Sequence, residues 1–149
     1  MDKYKEQWND RMAVTEDNTN SKALIIRDKS NLDEDLNLAK ISLKKSEELN
    51  NLDGMAIDYN NIGQLLKEKG ELDQALDYAK LALTIDEKSK DMFQVALDYF
   101  NLASICNLKQ NNEEELFYLK KIKQLLDKVP EYSKMEYIIK RINELENKS

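Results

Sequence analysis

Between residues 56 and 83 apolar side chains recur at helical spacing. Tyr59, Ile62, Gly63 and Leu66 form one stripe, and beyond a break at Gly70 a second stripe holds Leu72, Ala75, Leu76, Ala79, Ala82 and Leu83. Steps of three and four place each set on one face of a helix. The short break between them predicts two antiparallel helices, A then B. Gly70 suits the left-handed residue that ends a helix. Gly63 needs another reason, because glycine inside a helix costs roughly 1 kcal/mol relative to alanine. Its place there implies that helix A comes close to helix B of its own pair.

One unit is written three times. A shift of forty residues aligns Ala56 with Ala96, Asp58 with Asp98, Tyr59 with Tyr99, Asn61 with Asn101, Leu76 with Leu116, Tyr78 with Tyr118 and Lys80 with Lys120. The same shift pairs Lys29 with Lys69, Leu32 with Leu72, Asp33 with Asp73, Leu36 with Leu76, Ala39 with Ala79 and Leu43 with Leu83. Repetition at such a period is the mark of stacked helical hairpins. Ala23 and Ala103 take the place of Gly63 in the outer units. The third unit lacks a turn glycine, so Asn111 or Asn112 is expected both to end helix A and to cap a helix B opening on Glu113, Glu114 and Glu115. In the first unit Asn31, with Glu34 three places on, reads as a capping box. Helix A of that unit is weaker, with Thr19 and Lys22 at positions that are apolar elsewhere.

Two segments flank the repeats. Tyr4, Trp8 and Met12 share a face and predict a short helix, while residues 15–21 are poor helix material. After Pro130, Met135, Ile138, Ile139, Ile142 and Leu145 fall on one stripe, as in a helix that shields the open end of a stack. The expected organisation is an N-terminal segment (1–15), three repeats spanning 16–130 (16–50, 56–90 and 96–130) and a capping helix (131–149).

Composition narrows the class further. With 149 residues, 41% apolar and 35% charged, the chain suits one soluble domain with a core. Three glycines and one proline leave little turn material for a β-sandwich, which favours an all-α fold. A net charge of −6 opposes nucleic-acid binding. The lysines of residues 119–128 lie beside Glu113, Glu114, Glu115 and Asp127 and read as a solvated helix face. Cys106 is alone, so no intramolecular disulfide or thiolate cluster forms, which fits a reducing, cytoplasmic setting. The start, MDKYKEQW, lacks the apolar core of a signal peptide, and no run approaches the ~18 apolar residues of a membrane span.

Catalysis has little to work with. The absence of His removes the usual general base and the commonest metal ligand. Gly54, Gly63 and Gly70 are isolated and make no phosphate loop. Glu47, Glu48, Asp58 and Asp98 belong to an acidic helix background, and Cys106 falls at a core position. No enzyme activity, cofactor or metal is expected.

The middle unit resembles the tetratricopeptide repeat, whose pattern runs W-x2-L-G-x2-Y, A-x3-F, P. Tyr59, Ile62, Gly63, Leu66 and Ala75 match it; Ala79 stands where an aromatic is expected and Glu87 near the proline. The third unit reads Tyr99, Leu102, Ala103, Cys106, Glu115 and Leu119, with Pro130 slightly late. The period of forty, longer than the usual ~34, is similar to the branch with longer helices found in signalling adaptors. The resemblance covers roughly residues 16–130 and implies an α-solenoid, a right-handed superhelical stack of antiparallel helix pairs.

The resemblance also implies a function. In such stacks the A helices line a concave groove, and the faces that do not pack inward carry Ile57, Asn60, Asn61, Gln64 and Glu68 in the second unit and Leu97, Phe100, Asn101, Ser104 and Asn107 in the third. Amides both donate and accept, which suits a peptide backbone. By resemblance, Asn61 and Asn101 are placed to hold the backbone of a bound segment; Ser21 occupies the same place in the first unit. Lys67 and Arg27 are too few to clamp a terminal carboxylate. The expected role is an adaptor for a protein or peptide partner, binding no nucleic acid and no membrane. The alternative is a structural homodimer assembled through Trp8 or the C-terminal helix.

Overall fold

The computed structural model of the chain describes residues 29–129 and 136–148. The expected N-terminal helix with Trp8, the first A helix with Ser21, Ala23 and Arg27, and Met135 lie outside them. The described residues are all-helical: α1 (Lys29–Glu48), α2 (Leu52–Lys69), α3 (Leu72–Ser89), α4 (Met92–Leu108), α5 (Asn112–Leu126) and α6 (Glu136–Asn147). Each helix packs against the next along the chain. The first five run antiparallel to their neighbours, as the cross-contacts show. Gly63 of α2 faces Ala75 and Ala79 of α3, and Tyr59 meets Tyr78. Asp86 of α3 acts on Asp98 of α4.

The turns repeat every twenty residues. Asn50, Gly70, Lys90 and Gln110 all have positive φ, at 50°, 84°, 62° and 60°. At Gly70 the backbone N–H of Glu71 donates to Leu66 O and that of Gly70 to Lys67 O. Asn50 with Asn51, and Gln110 with Asn111, make the same pair of bonds. These are the bonds that satisfy the last carbonyls when a helix ends in a left-handed residue. The third unit therefore divides the two tasks given to one asparagine. Gln110 takes the left-handed position, and Asn111 caps α5 by accepting from Glu114 N–H at 3.2 Å. The capping box at Asn31 does not form at a helix start, because α1 is already helical from Lys29.

Contacts recur with the period of forty. The Tyr59–Tyr78 rings lie 6.1 Å apart and the Tyr99–Tyr118 rings 6.0 Å apart. Lys69 pairs with Asp33, and forty residues on Lys109 pairs with Asp73. The core is continuous through these units: Leu36, Ile62, Leu66, Ala75, Leu83, Leu102 and Cys106 belong to one cluster. A second cluster joins Phe93, Leu97, Phe100, Leu119 and Ile122 to Ile138, Ile142 and Leu145 of α6. Ile138, Ile142 and Leu145 of the C-terminal stripe are thus spent inside the chain, while Ile139 is half-buried.

Gly63 has the neighbour its sequence position implied. A Cβ built there would sit 3.3 Å from the carbonyl oxygen of Ala75, a backbone atom that cannot swing aside. Ala103 holds the equivalent place in α4 and is buried.

Candidate functional site

α2 and α4 lie side by side and point the same way, joined by polar side chains on successive turns. Asn60 Nδ2 donates to Asp98 Oδ1 at 2.9 Å, Gln64 Nε2 donates to Asn101 Oδ1 at 3.1 Å, and Lys67 Nζ donates to Ser104 Oγ at 3.4 Å. Asn101 Nδ2 completes the row with a long 3.4 Å bond to Asn60 Oδ1. The spacing follows from helix geometry: residues 60, 64 and 67 share one face of α2 and residues 98, 101 and 104 one face of α4.

This arrangement sorts the expected site residues into three groups. Asn60, Gln64, Asn101 and Ser104 are brought together, but as partners of one another. Asn101 in particular is only 8% exposed. Asn61 and Asn107 are exposed. Asn107 Nδ2 turns to the Glu115 carboxylate at 3.2 Å, whereas Asn61 enters none of the bonds of this row. Asn61 stands where Asn101 stands in the next unit. Leu97 and Phe100 do not face an open groove. They are 6% and 8% exposed, because α6 packs over them and the Tyr137 ring meets Phe100 edge-on at 6.4 Å. The open part of the face is therefore carried by α2, where Ile57 is 60% exposed beside Asn61 and Glu68.

Sequence reasoning missed the charged pair that holds α6. Glu115 of α5 is 2% exposed at the place taken by Ala75 one unit earlier. Arg141 of α6 reaches both of its oxygens, Nε to Oε2 and Nη2 to Oε1, each at 2.9 Å. Arg141 is held protonated chiefly by its bond to Glu115. The replacement of alanine by glutamate was visible in the repeat alignment. Its partner, across a stretch of different length, was not.

Asp58 and Cys106, two of the groups considered for chemistry, have structural occupations. Asp58 accepts from the hydroxyls of Ser42 and Ser46, both at 2.8 Å. The Cys106 thiol is buried and pushed up to about 12 by desolvation and by Glu114, so it stays protonated. Among the described residues no group of three or more metal-ligating side chains comes together, and no helix is long and apolar enough to cross a membrane. A groove of about 770 Å³ is lined by Met92, Val95 and Tyr99 of α4 and by Lys121 and Leu125 of α5, among others.

Compared with known proteins, the chain matches no family model and no curated sequence. Its functional reading rests on the arrangement of its own side chains.

Proposed function

We propose that the chain is a tetratricopeptide-repeat-like α-solenoid, with α6 as its terminal cap, that works as a cytoplasmic adaptor. The surface along α2 and its junction with α4 binds an extended segment of a partner protein. The observation that carries this reading is the row of amides on successive turns of two helices pointing the same way. Asn60 and Gln64 each keep a second N–H and a lone pair beyond the bonds they make within the row, at intervals that a peptide backbone can meet. Ile57 beside it supplies an apolar contact, and Asn61, exposed and outside the row, is the first group a ligand would reach. Asn101 then supports the site from below by fixing Gln64, and Leu97 and Phe100 belong to the core beneath it.

The test is affinity for a peptide selected against the folded protein from a library of extended segments. Asn61→Ala removes a bond worth about 0.5 to 1.5 kcal/mol, so Kd rises by roughly two-fold to ten-fold while the melting temperature holds. Unchanged affinity in this variant places the peptide elsewhere.

A second reading, self-assembly, draws on α1, where Leu38 and Ile41 are 61% and 65% exposed. Light scattering over a range of concentrations separates the two. A dimer that Leu38→Ser with Ile41→Ser dissolves would favour assembly.

A further inference from the structure

Asp58 and Asp98 are forty residues apart and hold the same place at two successive helix junctions. At the junction of α1 and α2, Asp58 is supplied with two hydroxyl donors, Ser42 and Ser46. A shift of forty turns those serines into Ala82 and Asp86. At the junction of α3 and α4, therefore, one donor is missing and the other has become a second acid. The consequence is written in the atoms: Asp86 is 5% exposed and Asp98 0%, and the Oδ2 of each is buried without a hydrogen-bond partner when both are taken as carboxylates.

An ionised pair is not a stable occupant of that site. The groups that act on Asp98 are Asp86 from α3, Asn60 from α2 and Gln94 from α4, and none of them carries a positive charge. Two like charges side by side in a desolvated interface cannot both ionise at ordinary pH. One proton placed between the two carboxyls solves both difficulties, because it supplies the missing donor and removes one charge. We infer that Asp86 and Asp98 share a single proton at neutral pH and form a proton-dependent clasp between α3 and α4, which loosens when that proton is lost. In keeping with this, burial first and the bond to Asp86 second push the Asp98 carboxyl up to about 8, against the smaller opposing effect of the Asn60 and Gln94 amides. Because Asn60 also accepts from Asn101, the amide row between α2 and α4 sits on the same clasp.

The sign of the pH effect follows from linkage. The native state holds a proton that the unfolded chain, with an ordinary aspartate near 3.9, has already released. Stability is full below that value and is lost as pH rises towards the native one. The window is unusually clean, since the chain contains no His and, apart from the α-amino group, no group of ordinary pKa titrates between about 5 and 8.

The experiment is denaturant unfolding of the full chain at steps from pH 5 to pH 8. In the wild type the unfolding equilibrium constant rises about tenfold per pH unit over most of this range, the signature of one proton. Asp98→Asn, which donates without titrating, flattens that dependence; Asp86→Ser, which restores the donor found at Ser46 but leaves Asp98 buried, ends it at a lower pH. A wild type that is flat across the window, or a wild-type slope that persists unchanged in either variant, overturns the clasp. Carbon-13 NMR of the wild-type carboxyls decides the matter if either variant fails to fold. One aspartate titrating well above pH 5 supports the shared proton, and all carboxyls titrating below pH 5 refute it.

Discussion

The hairpin of α2 and α3 and the hairpin of α4 and α5 share one plan, forty residues apart, and solve its tightest point in opposite ways. In the first, Gly63 lets the backbone of α2 approach Ala75, and the contact is small and apolar. In the second, Ala103 takes the glycine's place and Glu115 the alanine's. A carboxylate then stands in the core with 2% of its surface exposed. What differs is the neighbour. Beyond α5 stands α6, whose Arg141 and the nearby Asn107 of α4 together satisfy both oxygens of Glu115. A repeat position can therefore hold an acid where the next element brings a guanidinium to it, and the bond in turn fixes where that element docks.

The largest effect on this comparison comes from removing the guanidinium. Arg141→Met leaves Glu115 charged, buried and served only by Asn107. Breaking one side of a buried pair costs about 3 to 5 kcal/mol. Arg141 keeps 18% of its side-chain surface exposed, which puts the expected loss near ~3 kcal/mol, the lower end of that range. Adding Glu115→Ala, so that the second hairpin reads like the first, recovers most of it. Chemical denaturation of the two single variants and the double closes the cycle. Equal stability of Arg141→Met and the wild type would mean that the apolar contacts of Ile138, Ile142 and Leu145, the Tyr137 ring and the Lys120–Glu146 ion pair hold α6 without it.

Next in size is the apolar side. Gly63→Leu drives a branched side chain into a gap where a Cβ already lies 3.3 Å from backbone. Overpacking of this kind costs typically 1 to 3 kcal/mol, and the small gain in helix propensity does not offset it. A thermal melt shows the loss as a lower midpoint. An unshifted midpoint would mean that α2 can slide on α3 without cost.

These two contrasts also show where reading the chain succeeds. The helices, the turn at Gly70, the close approach at Gly63 and the buried places of Ile62, Leu66, Ala75 and Leu102 follow from apolar spacing, which is local. The paired rings and the Lys69–Asp33 and Lys109–Asp73 bridges follow from the repeat, since equal spacing puts equal residues at equal contacts. Three features escape. Leu97 and Phe100 carry the same face as Ile57 and Asn60, yet they are covered because a helix follows on that side. Asn101 is buried for a similar reason, with α2 on its flank. The partners of Glu115 and Asp98 depend on the distance and orientation between helices, which no single stripe encodes. The residues expected at the site lie on α2 and α4, but Leu97, Phe100 and Asn101 are buried, so the exposed part of that face is carried mainly by α2.

The smallest effect tests the turns. Gly70 and Gln110 end the first helix of each hairpin with the same two backbone bonds, but only one of them is a glycine. A residue with a Cβ at φ 60° gives up conformational energy that glycine does not. Gln110→Gly therefore relieves local strain in the folded state while adding freedom to the unfolded chain, and the two oppose each other. The strain relief is about 1 kcal/mol and the added freedom offsets part of it, leaving a net gain of a few tenths of a kcal/mol. The reverse change, Gly70→Gln, moves the first hairpin to the state of the second and loses a similar amount, with nothing within 4 Å of the new Cβ to clash. If both substitutions destabilise, glycine's freedom in the unfolded chain outweighs the strain at Gln110, and the side chain at that turn makes contacts that a glycine cannot replace.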